Sequence, residues 1–320
     1  MVTDELKIGT RGSQLALYQA NWVRDQLLQT HSGLKVTLVK IKTTGDKIQD
    51  AHLAKIGGKG LFVKEIEEAL LQKRIDLAVH SIKDVPTEFP EGLHLSAITK
   101  REDPRDVFFS RDKMLLKDLP MRAKIGTSSL RRQAQLLHFR NDFEMIPLRG
   151  NLDTRLKKLG SMNLDGIVLA LAGVRRLGLE EKITEILSTE VSLPAIGQGA
   201  LGIETRKEDE GTEKRIRFLN DPVSAVAVSG ERAFLKRLEG GCQVPIAAHA
   251  KLAEGKLVMD GLVGSVSGDK IIKSHIEGNP KDAESLGLKL AEDLLSKGAK
   301  EILDEVYGIN IRPVNGEIAS

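Results

Sequence analysis

The sequence predicts an α/β protein of two related lobes joined by two crossings, followed by a small α+β domain. Three observations carry this. Lys7-Ile8-Gly9-Thr10 is nearly repeated as Lys124-Ile125-Gly126-Thr127. After each copy, apolar residues recur at helical spacing, and a second and a third apolar run follow in the same order. The last hundred residues change to a helix, three apolar runs separated by glycine turns, and another helix.

In the first lobe, Leu6 to Gly9 reads as a buried strand and Thr10-Arg11-Gly12-Ser13 as a polar turn. Ala16, Ala20, Val23 and Leu27 then mark one helical face. Val36 to Ile41 is the second strand, and Ile75 to Val79 the third, before Ser81-Ile82-Lys83-Asp84. The second lobe repeats the order. Leu130, Ala134 and Leu137 mark its first helix, Met145 to Leu148 its second strand, and Gly166 to Leu171 its third. Parallel strands with crossover helices are expected in both. Lys100 to Pro104 reads as the passage between lobes and Ser192 to Glu204 as the return. The first lobe is thus expected to span 1–101 and 198–217, the second 102–197, and the C-terminal domain 218–320. In that domain Asp221-Pro222 starts a helix through Phe234 and Leu238, which Gly240-Gly241 ends. Ile246 to Leu252, Lys256 to Val263 and Lys270 to Ile276 read as a three-stranded antiparallel meander, and Pro280 opens a helix toward Leu295.

Composition removes several classes of function. The 320 residues carry a net charge of +3, too little for indiscriminate binding of nucleic acid, and 3% aromatics, too few for base-stacking platforms. One cysteine forms no internal disulfide, and with seven scattered histidines it forms no metal motif. No apolar run approaches the roughly 18 residues of a membrane span, and the first residues lack the pattern of a signal peptide. A cytoplasmic protein is expected.

The chemistry is expected where the strands end, since ligands of α/β sheets sit beyond the carboxyl ends of the strands. Of 20 arginines, 17 lie at or before Arg217. Arg11, Arg131, Arg132, Arg149, Arg155 and Arg176 fall in, or one turn beyond, loops that follow strands. Their guanidinium forks suit carboxylates or phosphates, so a polyanionic ligand is expected between the lobes. Ser13, Thr127 and Ser129 stand at helix starts, where they cap the helix and where free backbone N–H groups attract anions. Asp84 reads either as a loop acid paired with Lys83 or as a carboxylate that donates a proton or stabilises a cation. Cys242 reads either as a buried apolar residue or, given Gly240-Gly241 and Pro245, as an exposed loop thiol suited to attachment. Gly197-Gln198-Gly199-Ala200-Leu201-Gly202 matches a dinucleotide fingerprint in letters only, because no clear strand precedes it and a strand follows. Gly57-Gly58-Lys59-Gly60 fails the phosphate-loop spacing. The stretch 43–60 reads as a lid.

Four segments together resemble the porphobilinogen deaminase (hydroxymethylbilane synthase) family: Ile8-Gly9-Thr10-Arg11-Gly12-Ser13, Val79-His80-Ser81-Ile82-Lys83-Asp84-Val85-Pro86, Ile125-Gly126-Thr127-Ser128-Ser129-Leu130-Arg131-Arg132 and Glu239-Gly240-Gly241-Cys242-Gln243-Val244-Pro245. The resemblance runs from about Leu6 to Val306. It implies two lobes like those of type II periplasmic binding proteins plus the third domain. It also implies a monomeric transferase of tetrapyrrole and heme biosynthesis. Four porphobilinogens are joined head to tail with loss of ammonia, and hydroxymethylbilane is released by hydrolysis. A dipyrromethane cofactor joined by a thioether to Cys242 would prime the chain. Asp84 is then implied as the catalytic carboxylate. Cofactor binding is implied for Ser81, Lys83, Asp84, Thr127, Ser129, Arg131 and Arg132. The incoming ring or lengthening chain is implied at Arg11, Ser13, Arg149, Gly150, Arg155 and Arg176. Lys55, Lys59 and Phe62 would belong to the lid, although Phe62 also reads as a core residue of the following helix. With an acetate and a propionate on each pyrrole, two cofactor rings and four substrate rings bring about twelve carboxylates together, which a bank of cations would have to hold. Two other readings differ at the third domain and its thiol: a non-catalytic anion binder needs no covalent anchor, and a thiol acyl transferase needs a base that no histidine's context marks.

Overall fold

The structure, a computed structural model, describes residues 5–47, 63–239 and 244–311. The first lobe begins with Glu5–Thr10 (β1), Gln14–Thr30 (α1), Lys35–Lys40 (β2), Thr44–Lys47 (α2), Lys64–Leu71 (α3), Leu77–Ser81 (β3) and Leu93–Ile98 (β4). The chain then passes through Asp106–Ser110 (β5), Lys124–Gly126 (β6), Leu130–Phe139 (α4), Glu144–Ile146 (β7), Leu152–Ser161 (α5), Gly166–Ala170 (β8), Leu171–Arg176 (α6) and Glu185–Ile186 (β9). It returns as Leu201–Arg206 (β10) and Glu210–Ile216 (α7). The last part comprises Pro222–Arg237 (α8), Ile246–Ala253 (β11), Lys256–Gly264 (β12), Ile271–Gly278 (β13), Ala283–Leu294 (α9) and Lys300–Ile311 (α10).

Two five-stranded sheets run in the orders β2-β1-β3-β10-β4 and β7-β6-β8-β5-β9. The repeat seen in the sequence is therefore a repeat of position: β1 and β6, β2 and β7, β3 and β8 occupy equivalent places. Both sheets contain the parallel strands expected and add antiparallel ones. β10 runs antiparallel to β3 and β4, and β5 antiparallel to β8 and β9. The crossings are the cause. Each leaves one lobe from the carboxyl end of an edge strand, β4 or β9, and enters the other lobe from that same side. The first strand after a crossing must then run back down the sheet. Both crossings consequently lie at the edge where ligands of such sheets bind.

Alternation along the strands builds the cores. Leu6 and Ile8 of β1 face α1 and meet Ala20, Val23 and Leu27, while Ile66, Ala69 and Leu70 of α3 cover the opposite face with Ile75 and Ala78. In the second lobe the adjacent Phe108 and Phe109 enter different cores on the two sides of β5. Each fully buried Leu, Ile or Phe contributes about 1.5–3 kcal/mol, against at most about 1 kcal/mol for an exposed ion pair, so burial rather than surface charge holds the lobes. The third part is the antiparallel meander β11-β12-β13, whose core joins Met259 of β12 with Phe234 of α8 and Leu290 of α9. A further helix, α10, follows the expected helix within this domain.

Local capping aims side chains at the lobe edges. Ser13 accepts the Ala16 N–H at 3.3 Å, Ser129 the Arg132 N–H at 3.4 Å and Asn151 the Thr154 N–H at 2.9 Å, so α1, α4 and α5 start directly after the carboxyl ends of β1, β6 and β7. After β3 the chain makes one tight turn, Ile82–Asp84, which the Val85 N–H closes onto the Ile82 carbonyl at 3.0 Å. Buried Ile82 anchors this turn, and its N–H bonds Ala200 O at 3.1 Å. From α8, Arg232 donates to Val85 O at 3.3 Å and Pro86 O at 2.6 Å. The chain is thus held on either side of Asp84, at Ile82 by Ala200 O and at Val85 and Pro86 by the Arg232 side chain.

Candidate functional site

A cavity of about 810 Å³ lies between the carboxyl ends of the two sheets and draws its lining from both lobes. Among the described residues nine cations line it and one carboxylate, Asp84. Of the residues singled out in the sequence, Arg11, Ser13, Ser81, Lys83, Asp84, Arg132, Arg149, Gly150, Arg155 and Arg176 meet there. Thr127, Ser129 and Arg131 are not part of the lining. Thr127 Oγ1 accepts the Ser129 N–H at 3.1 Å, and the Ser129 side chain is taken up in its cap. Lys55, Lys59, Phe62 and Cys242 lie outside the described residues. Sequence reasoning missed Lys40, Lys42 and Lys158 of the lining, and also Gln19 and Gln198. Lys158 was legible as the residue one turn after Arg155 on the same face of α5.

The adjacent Arg131 and Arg132 behave differently, because successive residues on a helix point about 100° apart. Both converge on Asp106, the fully buried first residue of β5. Arg131 Nη1 reaches Asp106 Oδ2 at 2.9 Å and Leu193 O at 2.7 Å, and Arg132 Nη2 reaches Asp106 Oδ1 at 2.7 Å. Burial alone would raise the Asp106 carboxyl, but the two guanidinium groups hold it far below the usual carboxylate range. Two cations against one carboxylate leave this buried cluster net positive. Arg132 alone of the pair opens on the cavity, and its Nε is buried with no hydrogen-bond partner.

Lys83, Arg155 and Arg176 of the lining are stripped of water as well. Desolvation brings the Lys83 ammonium down to about 8, with Asp84 beside it opposing the shift and Arg132 reinforcing it. Desolvation, reinforced by Arg132, brings Arg155 down to about 10, and Arg176 is lowered by desolvation as well. Arg155 Nε donates to Gly150 O at 2.8 Å and Arg176 Nη2 to Gly199 O at 2.6 Å, which orients both forks. Ser81 Oγ accepts from Gln19 Nε2 at 2.9 Å. Among the described residues no side chain hydrogen-bonds the Asp84 carboxylate. An anion entering here would raise Lys83 and Arg155 back toward their ordinary values and meet donors already stripped of water.

Residues 6–214 match the family model described as "Porphobilinogen deaminase, dipyromethane cofactor binding domain", and residues 225–296 match "Porphobilinogen deaminase, C-terminal domain". The chain belongs to the porphobilinogen deaminase family. It is 56% identical over 307 residues to the porphobilinogen deaminase of Trichlorobacter lovleyi, covering 96% of this chain and 98% of that one. Identity to the porphobilinogen deaminase of Geobacter sulfurreducens is 57% over 307 residues, covering 96% of each chain. Among solved structures, the VFT2 domain of Bordetella pertussis BvgS superposes with a TM-score of 0.42 at 16% identity, covering 68% of this chain and 85% of that one. A periplasmic binding protein of Salmonella typhimurium does so with a TM-score of 0.39 at 16% identity, covering 69% and 93%. At these scores the likeness adds nothing to the strand order described above. The porphobilinogen deaminase cofactor, a dipyrromethane bearing carboxylates, fits the residues present: the buried, unpartnered Arg132 Nε and, among the described residues, the excess of cations over carboxylates in the lining both call for such a group.

Proposed function

We propose that this chain condenses four porphobilinogen molecules head to tail, releasing ammonia at each step, and yields hydroxymethylbilane. The observation that carries the reading is the cation-lined cavity with Asp84 as its single described carboxylate, in a chain of this family. When bound through Cys242, the dipyrromethane supplies the pyrrole end to which the first substrate is joined, and it stays behind when product leaves. Arg132 and Lys83 would hold its carboxylates directly. Arg131 acts one step back, by sharing Asp106 with Arg132 and so fixing the direction of the Arg132 fork. Arg11, Arg149, Arg155 and Arg176 would hold the side-chain carboxylates of the incoming ring and the growing chain, joined by Lys158. Twelve carboxylates repel one another unless cations interleave them, so the bank of Lys and Arg keeps the product compact within the cleft.

Asp84 would stabilise positive charge as it develops at the pyrrole N–H during loss of ammonia. The turn Ile82–Asp84 is held by Ala200 on one side and by Arg232 on the other, so this carboxylate stays fixed while the chain moves past it. The same reading has the protein working as a cytoplasmic monomer on small anionic substrates, without a nucleic-acid partner. The near-neutral net charge supports the last point, and among the described residues no helix is long and apolar enough to cross a membrane. The test is the intact mass of the purified chain. An excess equal to two linked porphobilinogen-derived rings, absent after Cys242→Ser, is expected; active protein of unmodified mass rejects the reading.

A further inference from the structure

The segment Gly197-Gln198-Gly199, a false dinucleotide signature in the sequence, lies in the second crossing at the floor of the cleft. Its glycines permit close approach. A Cβ on Gly197 would stand 2.0 Å from Ile82 Cγ2, and one on Gly199 would stand 2.3 Å from Glu102 O of the first crossing. Both also hold positive φ, +66° and +97°. The residue between them is 1% exposed, yet its amide borders the cavity and touches three parts of the site. Gln198 Nε2 donates to Pro104 O at 2.6 Å and to Asp106 Oδ1 at 2.9 Å, and Gln198 Oε1 accepts from Lys83 Nζ at 3.5 Å. The two ends of the amide are assigned by their partners, since Pro104 O and the Asp106 carboxylate only accept and the ammonium only donates. The crossing itself is pinned from outside: Glu231 of α8 accepts the Gly197 N–H at 2.6 Å and pairs with Arg101 of the first crossing at 2.6 Å, and Arg101 Nε donates to Gln198 O at 2.8 Å.

We propose that Gln198 is a positioning residue which separates Lys83 from Asp106 with a neutral amide, so that Asp106 stays committed to Arg131 and Arg132 while Lys83 stays directed at Asp84 and the ligand carboxylates. Around Lys83 stand Asp84 on its own turn, Asp106 on β5, and Arg131 and Arg132 on α4. A carboxylate in place of the amide would add a third anion to this set. A small residue would let the ammonium move toward Asp106. Either change draws Lys83 from the ligand and stabilises its charged form.

The proposal rests on the cleft holding pyrrole carboxylates, and its test separates the two. Cofactor-loaded wild type, Gln198→Glu and Gln198→Ala are labelled with acetic anhydride across pH 6–11, and the extent of modification at Lys83 is read by peptide mass. Both variants are expected to move the Lys83 midpoint up by about one pH unit and to lower kcat roughly tenfold with little change in KM. A midpoint unchanged or lowered in folded Gln198→Glu overturns the proposal, even if kcat falls and even if Gln198→Ala shifts upward, because the glutamate keeps the volume and with it the burial that lowers Lys83, whereas the alanine admits water. Gln198→Glu preserves volume and decides the matter if Gln198→Ala does not fold. A wild-type chain without the two-ring mass excess would sink the cofactor reading while leaving the Lys83 titration to judge Gln198.

Discussion

Asp106→Asn is the most informative single change to the buried charges. The carboxylate accepts from Arg131 at 2.9 Å, Arg132 at 2.7 Å, Ser192 Oγ at 2.8 Å and Gln198 at 2.9 Å, and it is wholly removed from solvent. Asparagine keeps the shape but is neutral, and one of its two ends is a donor facing donors. Two charge-assisted bonds at about 1.5–3 kcal/mol each are lost. Removing one partner of a buried ion cluster typically costs about 3–5 kcal/mol, in agreement with that sum. Against a whole-protein stability of about 5–15 kcal/mol, such a loss is large enough to read in a urea titration. The deficit is expected in full at pH 7 in cofactor-free protein and to shrink in loaded protein, where bound carboxylates return negative charge to Arg132. The sign with pH follows from the lowered native value: the stabilisation by Asp106 is present above its ordinary value of 3.8 and fades as pH falls below it. A deficit under about 1 kcal/mol in both forms would refute the view that Asp106 neutralises the arginine pair.

Two further outcomes follow from the geometry. Asp84→Asn is expected to leave the fold and the attached cofactor mass intact and to slow ammonia release about 10²–10³-fold; wild-type turnover would remove Asp84 from the chemistry. Glu67 of α3 is buried, and desolvation, with Glu204 adding to it, pushes its carboxyl up to about 7 from 4.5. The folded chain therefore loses stability as pH rises from 4.5 to 7, and Glu67→Gln, which carries no charge, is expected to be more stable than wild type at pH 8 by at most about 3 kcal/mol and equal to it near pH 4.5. Parallel denaturation curves with the same offset at both pH values would contradict this.

Much of the site was legible in the sequence because it is built from local signals. Ser13 and Ser129 had to cap the helices they precede, since a serine before an apolar-periodic run has few other uses for its hydroxyl there. Asp84, two residues before Pro86 at the end of a strand, had to leave the sheet. The near-identity of the segments at Ile8 and Ile125 reported two equivalent strands, and with them the two lobes. Such readings depend on neighbours within a few residues, whose geometry the backbone dictates.

What only the tertiary structure decided concerns partners far apart along the chain. Asp106 lies 25 residues before Arg131 and 92 before Gln198, and Lys83 lies 115 residues before Gln198. No spacing rule reaches across such distances. The direction of β5 and β10 belongs to the same class, because a short strand reads alike in either direction and only the side from which the chain enters a sheet sets its sense. Likewise Arg131 and Arg132 are indistinguishable as letters, and their different duties appear only when the helix that bears them is rotated into place over Asp106. Sequence determined which groups stand at the ends of the strands; packing determined which of those groups neutralise one another and which are left facing the cavity for a ligand.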